Sequence, residues 1–232
     1  MIKTKILDMD DLQRPDFMAI NNMFDKHFGN KWPQVPLRRW EYVAAILFSG
    51  ILMSPGKTLE TGCGISVFSP FLSKIGCQAH ACDIGAIGQP GVNYYNMTMT
   101  DLKFDNESFD YIFAISSIEH VNAGKFAIAN MPFDTGDEIA MDEMVRVLKP
   151  NGTIVITTDF ADRYYPPPGL WPSGSHRIYN WEEFNKRLIL PFGINYNGEI
   201  DLESFDFNDI KKVEPIGYAY TEFIATLKKT KK

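Results

Sequence analysis

The stretch Leu59-Glu60-Thr61-Gly62-Cys63-Gly64-Ile65-Ser66 constrains this chain more than any other. A short strand pattern runs into two glycines one residue apart, and an apolar helical pattern follows at 67–75. Glycines at such a junction permit a tight turn and let a ligand approach the backbone, and the helix start offers N–H groups without intrahelical partners. Asp83 ends the next strand pattern at roughly the 20-residue spacing of an acid that binds a ribose, residues 78–83. A carboxylate there can accept from both hydroxyls of a ribose. Alone, the glycine pair is a plain turn and Asp83 a solvated strand end. Together they predict a ligand that contains a nucleoside.

The surrounding rhythm agrees. Strand patterns at 57–61, 78–83, 92–97, 108–116 and 153–158 alternate with helical spacing at 67–75 and 137–148. The fourth contains Phe109, Tyr111, Ile112, Phe113 and Ile115, a run that suits a strand buried on both faces. Lys149-Pro150-Asn151-Gly152 stops the second helix. Such alternation predicts an α/β fold with a doubly wound parallel sheet. Ahead of it, 10–28 and 37–53 read as two helices, followed by a turn at Ser54-Pro55-Gly56. After the fifth strand, Tyr164-Tyr165-Pro166-Pro167-Pro168-Gly169-Leu170-Trp171-Pro172 predicts an ordered loop or lid. Asn180, with Glu183 three residues on, predicts a capped helix at 181–190, and 218–227 a closing strand. The expectation is one domain over 1–232, with N-terminal helices at 1–53, a ligand-binding core at 57–159, and lid loop and closing strands at 160–232.

Composition removes several function classes. The chain has 232 residues, 45% hydrophobic and 22% charged, as in an ordinary globular protein. Its three cysteines, Cys63, Cys77 and Cys82, show no Cys-x-x-Cys spacing, which argues against a disulfide framework or thiolate zinc site and fits a reducing cytosol. The longest apolar run, 42–53, is shorter than the roughly 20 residues of a membrane span. A formal charge of −6 leaves no basic footprint for a phosphate backbone, and the basic tail at 228–232 reads as a solvated end. A soluble, cytoplasmic chain is expected, with a small-molecule partner, no nucleic acid and no membrane span. The sequence sets no oligomeric state.

Charge also selects the nucleoside. The third glycine of a dinucleotide fingerprint would fall at Val67, and Glu60 before the turn would repel a pyrophosphate. Glu60 suits a cationic amino-acid group instead. S-adenosylmethionine carries an ammonium, a sulfonium and a ribose but no phosphate. Four stretches resemble class I S-adenosylmethionine-dependent methyltransferases. They are Leu59 to Gly64; Asp101-Leu102-Lys103-Phe104 with Ser108-Phe109-Asp110-Tyr111-Ile112; Ser116-Ser117-Ile118-Glu119-His120-Val121; and Glu143 through Arg146 to Gly152. The resemblance spans 57–159 and implies a Rossmann-like, doubly wound, mostly parallel seven-stranded sheet with helices on both faces. It further implies that Glu60 and the backbone at Gly62 and Gly64 hold the methionine end. Asp83 would hold the ribose and Ile84 would pack on the adenine. Thr100, Asp101 and Leu102 would line the adenine edge, and Ser116 would lie beside the amino group. Two departures stand out: Ser66 where many members have a third glycine, and Thr98 where many have an aspartate.

Catalytic candidates follow from position. Glu119 and His120 come after the fourth strand, at the edge where parallel sheets place ligands, and His176 follows the aromatic loop. A histidine there can deprotonate an acceptor, so His120 is the candidate base and Glu119 and His176 its partners. The plainer reading makes His120 a structural histidine bonded to the backbone and His176 an exposed loop residue. Tyr164, Tyr165 and Trp171 would wall an acceptor pocket or cover the sheet edge. Asp101 suits a turn or cap as well as adenine contact. Arg146 and Lys149 read as surface and helix-end charges, and Cys63 as a packing residue. The activity implied is methyl transfer to an oxygen or nitrogen of a small molecule. Arg39-Trp40-Glu41-Tyr42 loosely resembles enzymes of sugar and surface-glycan biosynthesis. A second reading is a metal-assisted RNA 2′-O-methyltransferase with Glu119, His120 and His176 as ligands, weakened by Ser116 where a glutamate belongs. A third is an inactive methyltransferase fold used as a binding module. The insertion at 122–136 has no assigned role.

Overall fold

Alternate residues of the central strands face opposite cores, and this explains why their sequences are apolar throughout. In the computed structural model, β5 (Phe109–Ile115) sends Ile112 and Ala114 into one apolar cluster and Phe113 and Ile115 into another. In β6 (Leu148–Phe160), Ile154 and Ile156 join the first and Val155 the second. A strand covered on both faces has no polar side to present. Each fully buried Ile or Phe contributes on the order of 1.5–3 kcal/mol. The structure describes residues 3–6, 8–32, 35–85, 88–123, 126, 128, 131, 134–167, 176–192 and 221–229.

The second cluster belongs to three helices: α1 (Pro15–Phe28), α2 (Pro36–Ser49) and α3 (Phe68–Lys74). The first belongs to α4 (Gly136–Val147) and α5 (Trp181–Leu188). The sheet order is β1-β7-β6-β5-β2-β3-β4, with β1 at Lys3–Ile6, β2 at Lys57–Thr61, β3 at Gln78–Asp83, β4 at Asn93–Asn96 and β7 at Thr221–Lys228. Strands β4, β3, β2, β5 and β6 are parallel, and β7 pairs antiparallel with β6. This is the mostly parallel, Rossmann-like α/β arrangement with helices on both faces.

Several boundaries differ from expectation, each for a local reason. The helix expected over 10–28 is a short 3-10 turn at Met9–Gln13 followed by α1, because Pro15 holds Arg14 extended at ψ 141°. The helix expected to reach 53 ends at Ser49, where Gly50 takes a left-handed φ of 70°. Lys149-Pro150-Asn151-Gly152 ends α4 but stays in β6, lengthening that strand at its start. Gly152 is required there, since a Cβ would lie 2.7 Å from the Leu148 side chain. Strand β1 was not anticipated; it pairs antiparallel along β7, from Lys3 opposite Thr226 to Ile6 opposite Phe223. Asn180 caps α5 as expected, accepting from the Glu183 N–H at 2.9 Å. Trp171 and residues 218–220 lie outside the described residues.

Candidate functional site

From β2 the chain crosses to β3 on one side, while β5 lies on the other, so a crevice opens at the carboxyl end of β2. Gly62 starts the loop there with φ 65°. A Cβ at Gly62 would stand 2.6 Å from Ser117 Cβ and 2.8 Å from Met99 Cε, so both dihedral and space demand glycine. Gly64, φ 49°, has open space where a Cβ would point. Asp83 closes the turn from the neighbouring strand: Oδ2 accepts from the Gly64 N–H at 3.0 Å, and Oδ1 from the Gly85 N–H at 2.9 Å. A carboxylate has about four acceptor sites, so these bonds orient Asp83 and leave capacity for a diol.

Two cavities meet at this loop and share Gly62 and Ser116. The first, about 290 Å³, is lined by Asp83, Ile84, Met97, Thr98 and Met99 on one side and by His120, Val121, Asn122, Phe126 and Ile128 on the other. Its wall is mostly apolar, and Ile84, one of its lining residues, is 57% exposed. The second, about 330 Å³, holds Lys31, Arg38, Tyr42, Glu60 and Ser66. Glu60 is 2% exposed; Oε2 accepts from the Ser69 N–H at 2.9 Å, and burial pushes its pKa up to about 7. Ser116 forms the shared wall in a left-handed conformation, φ 41°, unusual for a residue with a side chain. Its N–H donates to Thr157 O at 3.1 Å and its hydroxyl to Glu41 Oε1 at 2.5 Å. Such strain persists only where surrounding bonds over-determine it.

The structure brings Glu60, Gly62, Gly64, Asp83, Ile84 and Ser116 together. It does not bring Thr100, Asp101 and Leu102 to the cavity, whose wall instead uses Met97, Thr98 and Met99. Leu102 is 2% exposed within the core, Asp101 pairs with Lys103 at 2.5 Å, and the Thr100 hydroxyl bonds Thr98 at 2.9 Å. That segment is held by a clamp from α4. Glu143 accepts from the Leu102 N–H at 2.8 Å, and Arg146 donates to Leu102 O at 2.7 Å and Phe104 O at 2.8 Å. Arg146 is therefore a loop anchor and not a surface charge. Lys149 pairs with Asp110 at 2.8 Å. Cys63 is 4% exposed with its thiol pKa raised by burial, in keeping with packing.

The three catalytic candidates do converge. The rings of His120 and His176 lie 5.3 Å apart, His176 Nε2 is 3.0 Å from Asp159 Oδ2, and His120 Nε2 is 3.9 Å from Glu119 Oε1. His120 lines the first cavity, its side chain 36% exposed. Glu119 is 1% exposed, and burial together with the Asp159 and Glu41 carboxylates raises its pKa well above the usual range. Arg177, fully buried, holds this segment: it donates to Val121 O at 2.6 Å and to Asp134 Oδ1 at 2.7 Å. Tyr164 bonds Asp134 through its hydroxyl at 3.0 Å, and Tyr165 bridges to Ile178. Among the described residues no group of three or more His, Cys, Asp or Glu is arranged to hold a metal ion, so the metal-assisted reading gains no ligand set. Sequence reasoning missed Lys31, Arg38 and the insertion residues Phe126 and Ile128, because no local spacing marks them.

Residues 59–156 match the model of the methyltransferase domain family. Over those residues the chain is similar to a methyltransferase domain. No curated protein matches its sequence. Among solved structures similar to this chain is 1,6-didemethyltoxoflavin-N1-methyltransferase of Burkholderia thailandensis, solved with S-adenosylhomocysteine. It is 12% identical with TM-score 0.59, over 98% of this chain and 92% of that one. The phosphoethanolamine N-methyltransferase 2 of Haemonchus contortus is 16% identical with TM-score 0.56, over 97% and 61%. The [4+2]-cyclase SpnF is 13% identical with TM-score 0.55, over 93% and 97%. At these identities the likeness is one of fold, and the cyclase shows how varied the chemistry on that fold is. Among the described residues no helix is long and apolar enough to cross a membrane.

The donor set fits the cofactor. A mostly apolar cavity with one acid suits a nucleoside, and an adjoining polar cavity with charges of both signs suits an amino acid.

Proposed function

We propose that this chain is a methyltransferase that acts on an oxygen or nitrogen of a small molecule, with S-adenosylmethionine held across the two joined cavities. The observation that carries this is their meeting at Gly62 and Ser116, with Asp83 in one and Glu60 in the other. Asp83 accepts from the ribose hydroxyls, Ile84 packs on the adenine, and Glu60 faces the ammonium. Bound there, the cofactor supplies a methyl group on a sulfonium that leaves as a neutral thioether. The chain's task is then to align the acceptor, exclude water and take up a proton.

His120 is the proposed base. It lines the nucleoside cavity, with His176 and Asp159 behind it. It takes the proton from the acceptor hydroxyl or amine, a gain of roughly 10²–10⁴ in rate. Glu119, biased by burial toward its neutral form, stands beside it. Phe126 and Ile128 of the insertion cover the same cavity. Arg39 and Trp40 give no acceptor information, because their side chains are used internally. Arg39 pairs with Asp25 at 3.1 Å and Trp40 Nε1 donates to Asp11 at 2.8 Å. The acceptor class therefore stays at a small molecule.

Calorimetric titration with S-adenosylmethionine should show micromolar binding that Asp83→Ala abolishes while the variant keeps a cooperative thermal melt. His120→Ala should keep that affinity and lose turnover on sugar, phenol or amine acceptors. No wild-type binding at millimolar ligand would sink the assignment, and binding without turnover of any acceptor would favour the scaffold reading.

A further inference from the structure

The insertion at 122–136 closes on itself beside the apolar cavity. Its two ends touch: a Cβ at Gly136 would lie 2.5 Å from Asn122 Cβ and 2.8 Å from Val121 O, so glycine is required there. At the first end Asn122 takes a left-handed φ of 54°, which asparagine tolerates better than most residues. Its Oδ1 accepts from the Ile128 N–H at 2.8 Å. At the second end Asp134, φ 58°, is held by the Tyr164 hydroxyl and by Arg177 Nε. Compact loops whose ends lie together are frequently functional. This one delivers Phe126 and Ile128 to the cavity wall. The Phe126 ring meets the His120 ring near edge-on, with centroids 5.7 Å apart and planes at 67°.

With the nucleoside on the wall of Asp83, Ile84 and 97–99, an acceptor in reach of His120 meets the opposite wall. The described polar side chains lining this cavity are Asp83, Thr98, Ser116, Ser117, His120 and Asn122. Most are engaged within the protein. The Thr98 hydroxyl bonds Thr100, Ser116 donates to Glu41, Ser117 donates to Thr61 O at 3.0 Å, and Asn122 Oδ1 holds Ile128. A sugar would bring several hydroxyls to this wall, and a buried hydroxyl without a partner keeps its full desolvation cost. Among the described lining residues on the His120 side there is no carboxylate, ammonium or guanidinium, so a charged acceptor finds no counter-ion. An aromatic ring needs neither, and it packs favourably on Phe126. We propose that the methyl acceptor is a flat, neutral aromatic molecule with one hydroxyl or amine, seated against Phe126 and Ile128 with that group toward His120. This rests on the reading of the joined cavities as the cofactor site and of His120 as the base. The insertion then sets the acceptor class, by offering an apolar face in place of hydrogen-bond partners.

The test uses protein saturated with S-adenosylhomocysteine and three probes followed by saturation-transfer nuclear magnetic resonance. They are 2-naphthol, 2-naphthoate, which has the same rings but carries a charge, and methyl α-D-glucopyranoside, a neutral polyol. 2-Naphthol should bind about tenfold or more tightly than either of the others, as an apolar contact of ring size implies. Phe126→Ala should weaken 2-naphthol about tenfold and leave S-adenosylhomocysteine unchanged, and Phe126→Leu should recover part of the loss. Should Phe126→Ala disturb the loop, Ile128→Ala should weaken 2-naphthol about threefold, as for a smaller apolar contact. No binding of 2-naphthol, or equal or tighter binding of the glucoside or the naphthoate, would overturn the proposal. So would a Phe126→Ala variant that binds 2-naphthol as the wild type does, or one that loses S-adenosylhomocysteine to the same degree. Failure of the wild type to bind S-adenosylhomocysteine would instead refute the cofactor reading beneath it.

Discussion

Glu60 carries a conflict between folding and binding. Its carboxyl is buried and its pKa stands at about 7, against 4.5 for an unperturbed glutamate. The shift means that ionising it in the folded protein costs on the order of 3 kcal/mol more than in water. A ligand ammonium is the partner that would recover this cost. Glu60→Gln keeps an oxygen able to accept from Ser69 and removes the charge. Urea denaturation at pH 8 should show the ligand-free variant more stable by about 1–3 kcal/mol, while its affinity for S-adenosylhomocysteine falls. A variant less stable at pH 8 would contradict this account. Ser116 tells a similar story in backbone terms, since its φ of 41° is held by Glu41 and Thr157. The sequence shows that a serine follows β5, but not its dihedral, which arises from partners 75 and 41 residues away.

At the scale of elements, the motif Glu143-x-x-Arg146 works by joining a helix to a loop. The two side chains share one turn of α4, so Arg146 Nε lies 2.7 Å from Glu143 Oε1, and together they satisfy the backbone of 102–104. The cavity wall at 97–99 lies just ahead of that loop. Arg146→Met should destabilise the protein by about 1–3 kcal/mol, the cost of leaving backbone carbonyls unpartnered, read as a lower urea midpoint with the same slope. It should also weaken S-adenosylhomocysteine modestly. Unchanged stability would show the clamp to be dispensable. In sequence this arginine looks like any helix-end charge, because the carbonyls it binds come from 42 and 44 residues earlier. The proline and glycine after α4 were read correctly as a helix stop. That the same residues continue as β6 depends on pairing with β5 and β7, which no local pattern reports.

For the molecule as a whole, titrating groups pull stability in opposite directions. Glu41, Glu60 and Glu119 have raised pKa values, mainly from burial. From about 4.5 upward the unfolded chain releases their protons before the folded chain does, so stability falls as pH rises until each folded group ionises, at about 7 for Glu60. Asp110, Asp137 and Glu143 have lowered values; the Arg187 and Arg177 guanidiniums hold Asp137 down, and the Arg146 side chain holds Glu143. Their contribution is present above the unfolded carboxylate range and is lost as pH falls through their folded values. Stability of the ligand-free protein should therefore peak in mildly acid solution, about pH 5, and decline toward both pH 3 and pH 8. Melting temperatures across that range, with and without S-adenosylhomocysteine, check this; a maximum at pH 8 without ligand would refute it. Ligand should flatten the alkaline side, because a bound ammonium favours ionised Glu60.

What the sequence determined by itself is what depends on near neighbours. The period of apolar residues sets helix against strand, paired glycines set the turn after β2, and the spacing to Asp83 sets the acid one strand over. Each is local, or repeats through one strand–helix–strand unit. What only the tertiary structure decided are the encounters between distant segments. Glu41 reaches Ser116 and Arg38 reaches the polar cavity because α2 packs across the sheet, and Glu143 and Arg146 of α4 hold the backbone at 102–104. Strand β1 reaches the edge only because β7 is there to pair with it. Such contacts depend on how the chain closes on itself, and a side chain's type and neighbours do not specify which remote backbone it will meet.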